Sequence, residues 1–195
     1  MNNDVRQPFI LVASDIHDNE SALETLGNIA TDSNCIAFLY CGDINIDNFF
    51  ICNILRNRNF TFLPVLGNCD NPFSYSDALI NQISFYRTYT YSNVNIFLSH
   101  GHKYYEPAMV GLDNKDYNIV ITGHTHIGSL NSYKIGSKEI INFNPGSPSL
   151  PRGKSQPSYG KIVFENYAQC AYSLCHIQLV NFRDNRILAE KTITI

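Results

Sequence analysis

Ile119-Val120-Ile121-Thr122-Gly123-His124-Thr125-His126 is the stretch from which the chain is read. A short apolar, β-branched run breaks at a glycine and ends in two histidines one residue apart. Such a run reads as a buried strand. A buried strand that finishes in His-x-His delivers two imidazoles to the rim of its sheet, and imidazole is a common metal ligand. What this means depends on whether other strands bring ligands to the same rim.

Four earlier apolar runs end in the same manner. Phe9 to Ala13 leads into Asp15 and His17, and Ile36 to Cys41 into Gly42-Asp43. Thr61 to Leu66 stops at Gly67-Asn68-Cys69-Asp70, and Val94 to Leu98 at Ser99-His100-Gly101-His102. Continuous apolar runs suit strands buried on both faces, as in a parallel sheet. Between the first two, Asn19 is placed to cap a helix over Ser21 to Ala30. A second helix is expected from Asn48 to Asn57, a short one within Asn71 to Asn81, and another short one over Pro107 to Leu112. Strand-helix alternation of this kind argues for α/β architecture.

The second half turns antiparallel. Ser84 to Ser92 reads as a strand, Ser129 to Ile135 and Glu139 to Phe143 as a hairpin turning at Gly136. Tyr159 to Phe164, Ala171 to Val180 and Arg186 to Ile195 read as further strands. In the last, Ile187, Ala189, Ile193 and Ile195 share one face, with Lys191 the exception. No repeat, linker or low-complexity segment interrupts the 195 residues, so one domain over 1–195 is expected.

Composition narrows the function classes. The chain is 44% apolar with a formal charge of −3. Its 14 Lys and Arg are scattered, so no nucleic-acid-binding face is visible. No run is long enough for a membrane span, and Phe9 to Ala13 is too short for the apolar part of a secretory leader. The six cysteines contain no Cys-x-x-Cys pair and read as reduced thiols, so a soluble, cytoplasmic protein is expected.

In an open α/β sheet, ligands bind outside the carboxyl ends of the strands. Asp15, His17, Asp43, Asn68, His100, His124 and His126 all sit there. Each motif alone has an ordinary reading as a turn or loop, and so does Asn144-Pro145-Gly146-Ser147. Their conjunction is what argues for a site, since five of the six histidines fall in these motifs. The sixth, His176, reads as a hydrogen-bonded sheet histidine. Carboxylate, amide and imidazole without thiolate suit Mn²⁺, Fe or Zn²⁺. Seven ligands are too many for one ion that keeps an open position. They suit two ions about 3.5–4 Å apart, which lower the pKa of a bound water and clamp a displacement. Such a centre stays positive and so favours an anionic substrate.

The ordered motifs Asp15-x-His17, Gly42-Asp43, Gly67-Asn68-Cys69-Asp70, His100-Gly101-His102 and Gly123-His124-Thr125-His126 resemble those of the calcineurin-like metallophosphoesterases. Within them, Asn-Cys-Asp, His-Gly-His and the Asn144 to Ser147 loop are similar to the small YfcE-type phosphodiesterases. The resemblance implies two packed mixed sheets flanked by helices, a four-layer sandwich. It implies one divalent ion held by Asp15, His17, Asp43 and His126, and a second held by Asp43, Asn68, His100 and His124. Asp43 then bridges, a metal-bridging hydroxide attacks phosphorus, and Asp43, Asn68, Cys69 and His100 surround the reaction. Mn²⁺ is the expected metal, with Zn²⁺, Fe, Ni²⁺ and Mg²⁺ as alternatives. The expected substrate is a small phosphodiester, and the resemblance leaves self-association into a homo-oligomer open.

Many family members carry His where this chain has Cys69. A neutral thiol is a poor proton donor beside an imidazolium, so diesters with good leaving groups are expected, unless Cys69 only packs. His102 flanks the site, either near substrate or as a packed or solvent-facing ring. Lys103 and Arg152 flank motifs and read first as surface charges, Tyr104 and Tyr105 as aromatic packing. The competing functions are a silent scaffold of the same fold, similar to the retromer scaffold subunit, and a phosphomonoesterase or nuclease. The full set of seven ligands favours the enzyme.

Overall fold

The computed structural model describes residues 7–46, 51, 53, 60–71, 84–166 and 173–195. The expected helix over 48–57 lies outside these residues except at Ile51 and Asn53, and the one within 71–81 except at Asn71.

The first sheet forms around β1 (Phe9–Ala13), whose five residues are all buried. It pairs in parallel with β2 (Cys35–Tyr40), and β2 with β3 (Thr61–Pro64). On its other side β1 meets β9 (Ser158–Asn166), which continues antiparallel into β10 (Ser173–Asn181) and β11 (Ile187–Thr194). The second sheet has the order β4 (Tyr86–Tyr91), β5 (Val94–Ser99), β6 (Ile119–Ile121), β8 (Lys138–Asn144), β7 (Ser129–Ile135). Its central strands β5, β6 and β8 are parallel and its edge pairs antiparallel. Both sheets are therefore mixed, as expected.

The alternation of side chains along each strand divides the core. Ile10 and Val12 point between the sheets, where they meet Leu39, Ile96, Ile119, Ile121, Phe143 and Ile177. Phe9, Leu11 and Ala13 point to the opposite face and pack against α1 (Glu20–Ile29) through Leu23 and Leu26. Burying two such leucines stabilises by about 2 kcal/mol each. The helix starts where Asn19 Oδ1 accepts from the Ala22 N–H at 2.9 Å. Outside the second sheet, Phe97, Val120 and Ile140 are covered by Tyr117 and by residues around the 3-10 turn Pro107–Val110. Among the described residues the outer layers thus include α1 on one side and 3-10 turns on the other. None of their helices is long and apolar enough to cross a membrane.

The last strand departs from the expected face pattern. A bulge pairs Leu179 with Ala189 but Val180 with Ile187, skipping Leu188. One inserted residue moves a side chain to the other face. Leu188 accordingly packs with the inter-sheet core, and Ile187 is 48% exposed. Lys191 lies on the inner face and donates from Nζ to Ser132 Oγ of the opposite sheet at 2.9 Å.

Candidate metal centre

The carboxyl ends of the parallel strands from both sheets meet at one end of the sandwich. The chain leaves β1 into Asp15, whose N–H donates to Gly42 O at 3.0 Å, and His17 N–H donates to Asp43 O at 3.1 Å. In the other sheet Gly123 N–H donates to His100 O at 2.9 Å. The two sheets are tied where His124 N–H donates to Asp15 Oδ2 at 2.9 Å and where His100 Nδ1 meets Cys41 O at 2.6 Å. Gly42, at φ 92°, lets the backbones touch: a Cβ there would meet Gly67 and His100.

Asp15, His17, Asp43, His100 and His126 form one cluster. Asp43 Oδ2 is 3.4 Å from His100 Nε2 and 3.6 Å from His17 Nε2. Asp15 Oδ1 is 3.4 Å from His126 Nε2 and 4.0 Å from the Nε2 atoms of both His17 and His100. The Nε2 atoms of His17 and His126 face each other at 3.1 Å. Asn68 Oδ1 joins at 3.1 Å from His100 Nε2. His124 stands at the margin, exposed, with its ring centroid 5.1 Å from that of His100. All seven expected residues therefore share one region, five at its centre and Asn68 and His124 at its rim.

The donor set suits cations. Cys41 O and Leu150 O can only accept, so the Nδ1 atoms of His100 and His126 carry protons and their Nε2 atoms face the cluster. Asp15 Oδ1 is buried without a hydrogen-bond partner. A buried carboxylate oxygen left unpaired is costly, and here three imidazole nitrogens surround it at cation-sharing distances. Burial pushes the Asp15 carboxyl up, although His100 and Ser14 oppose the shift. For Asp43, burial is outweighed by the His100 imidazole and the Cys69 N–H, and its carboxyl is held well below the usual range. Burial holds His126 below the ordinary imidazole value, which keeps its lone pair available. Groups that could hold an ion include Asp15, His17 and His126, and separately Asp15, Asp43 and His100. A third, His17, Asp43 and Cys69, brings in the exposed thiol.

Several positioning residues were not singled out from the sequence. Buried Asp70 accepts from the N–H groups of Asp43, Ile44, Asn45 and Gly67 at 2.7–3.1 Å, clamping two strand-end loops together. Ser147 Oγ donates to Asp15 O at 2.7 Å, and Asn144 Nδ2 donates to Gly123 O at 2.8 Å. Ser14 Oγ donates to Asp15 Oδ2 at 2.5 Å. Their signal was position: Asp70 and the Asn144 to Ser147 loop belong to quoted motifs, in places read as turns. His102, exposed, lies 5.2 Å from His100 between ring centroids. Arg152 is exposed and Lys103 lies over the Phe85 ring. His176 bonds Glu165 and Thr192 within its sheet, as expected.

Residues 9–166 match the calcineurin-like phosphoesterase superfamily domain. The chain belongs to this superfamily. It is 25% identical over 164 residues to phosphodiesterase YfcE of Escherichia coli K12, covering 78% of this chain and 86% of that one. It is 28% identical over 172 residues to the probable metallophosphoesterase YsnB of Bacillus subtilis, covering 82% and 86%. The E. coli YfcE structure superposes with a TM-score of 0.71 at 23% identity, over 94% of this chain and 98% of that one. A Vps29 from Entamoeba histolytica, described as complexed with Zn²⁺, has the same fold with a TM-score of 0.57 at 18% identity, over 95% and 98%. Membership in the superfamily and the donor set agree on a metal-dependent phosphoesterase that uses divalent ions.

Proposed function

We propose that this phosphoesterase is a dinuclear phosphodiesterase with Asp43 as the shared ligand. The observation that carries the reading is the place of Asp43 Oδ2, 3.6 Å from His17 Nε2 on one side and 3.4 Å from His100 Nε2 on the other. Asp15, His17, Asp43 and His126 would hold one ion, and Asp43, Asn68, His100 and His124 the other. Bound divalent ions supply an acidified water and positive charge at the phosphoryl oxygens. Mn²⁺ is the proposed metal, because these seven ligands are oxygen and nitrogen donors.

The chain's own residues set the rest. The Cys41 and Leu150 carbonyls orient His100 and His126, and Asp70 holds the loops that carry Asp43 and Asn68. Cys69 accepts a bond from Asn68 Nδ2 at 3.2 Å, and its thiol is pushed up by desolvation and by Asp43. A neutral thiol at this position assists a departing alkoxide only weakly. This supports preference for diesters with acidic leaving groups over diesters with alkyl ones. The proposed substrate is a small cytoplasmic diester, in keeping with the scattered cations and the net charge of −3.

The test is to strip the protein of metal and assay it with Mn²⁺, Mg²⁺, Zn²⁺ or Ni²⁺ on bis(p-nitrophenyl) phosphate and p-nitrophenyl phosphate. Turnover of the diester with Mn²⁺, exceeding that of the monoester, is expected. Absence of turnover with every ion would refute the enzyme and favour a Vps29-like scaffold.

A further inference from the structure

A shelf of aromatic rings borders one half of the centre and has no part in holding it. β4 runs antiparallel to β5, and the pairing of Tyr86 with Ser99 sets Phe85 level with His100. From the centre the rings step outward: His100 to His102 at 5.2 Å between centroids, then His102 to Phe85 at 6.0 Å. Phe85 as a residue is 37% exposed, and Lys103 Nζ lies 4.1 Å from its ring centroid.

The shelf is braced from below. Tyr104 stands edge-on to Phe85 at 6.5 Å and to Tyr86 at 6.0 Å. Tyr86 stacks on the buried Phe97 at 5.7 Å, and Ser99 Oγ donates to Tyr104 O at 2.7 Å. A surface aromatic held this way gives up little freedom when a ligand settles on it. The opposite border of the centre differs in chemistry. Beside His126 the border carries no aromatic ring among its exposed side chains: Ile127 at 47% and Leu150 at 52% stand with exposed Thr125 and Arg152.

We propose that Phe85 and His102 form a subsite for a flat aromatic ester group of the substrate, on the His100 and His124 half of the centre. The proposal rests on the phosphoester-hydrolysing role argued above. Aromatic rings gain from offset and edge contacts beyond the area they bury, whereas an alkyl ester gains area alone. Lys103 places a cation over the same ring, where it adds attraction to an aromatic π-face. The asymmetry of the two borders orients an ester that carries one aromatic group.

The experiment measures binding of phenyl phosphate and methyl phosphate to Mn²⁺-reconstituted protein by calorimetry, since both share one dianionic head. Phenyl phosphate should bind about fivefold more tightly, and Phe85→Leu should bring that ratio to about one with methyl phosphate unaffected. Ile127→Ala should leave the ratio intact. Thymidine 5′-phosphate against ribose 5-phosphate asks the same of a base carried on a sugar. A Phe85-dependent preference in either pair supports the subsite and identifies the source of the ring. Equal affinities in both pairs, or a preference that survives Phe85→Leu, overturns it. A protein that turns over no diester would refute the phosphodiesterase assignment and leave this binding ratio measurable.

Discussion

Replacing Asp70 by Asn changes one oxygen to an amide at the clamp between two strand-end loops. In the wild type Oδ1 accepts from Ile44 and Asn45, and Oδ2 from Asp43 and Gly67. The amide keeps one acceptor, so two N–H groups retain a partner. The other two meet an NH₂ donor instead. Hydrogen bonds to a charged partner contribute about 1.5 kcal/mol each at the low end, so the loss is about 3 kcal/mol. A chain of this size shifts by ~2–4 °C per kcal/mol, which gives a fall in Tm of roughly 6–12 °C for the metal-free protein. Either pair includes an N–H group of the loop that carries Asp43, so Mn²⁺ affinity should fall as well. Scanning calorimetry reads the first effect and titration calorimetry the second. Asp113→Asn, at an exposed ion pair with Lys115, is the control and should change neither. A Tm within 2 °C of wild type together with unchanged Mn²⁺ binding would refute the clamp.

Gly67→Ala should abolish metal binding while α1 and the sheets persist by circular dichroism, because the new Cβ would fall on the Asp43 carboxylate. Cys69→His should raise turnover of diesters with alkyl leaving groups more than that of p-nitrophenyl esters, by ~10-fold or more if the imidazole donates a proton; equal effects on both would sink the proton-donor argument. Native thiol labelling at pH 7.5 should distinguish the cysteines by exposure. Cys69→Ser should remove one fast-reacting thiol, whereas serine at Cys35 or Cys175 should remove none, since burial pushes those thiols up to about 11 and about 12.

The strands and their ends were legible because a buried strand needs an unbroken apolar run, and the runs before Asp15, Asp43, His100 and His124 stop where the sheet stops. The two-sheet arrangement came from the family resemblance, since pairing between distant runs leaves no local trace. The bulge at Leu188 was hidden for a related reason: it depends on what β10 presents opposite, and Ile187 alternates with Ala189 as well as Leu188 does with its neighbours. In the centre, the residues that present side chains to one another were found from their chemistry. Asp70, Ser147 and Asn144 were not, because they act on backbone groups, and any turn could employ an Asp, Ser or Asn in that way. His124 at the margin shows the reverse. Its spacing equates it with His126, but the turn sends the two rings to different places.

The backbone at these strand ends carries a further implication. Asp15, His17, Asp43, His124 and His126 all adopt positive φ, between 41° and 68°. For a residue with a side chain each such conformation costs of order 1 kcal/mol, and glycine would occupy it freely. The positions proposed to hold metal ions are thus held against local preference. Glycine at His17 or His124 would relieve that cost, whereas glycine at Asp15 or Asp43 would also forfeit the backbone N–H bonds that these carboxylates accept from His124 and Cys69.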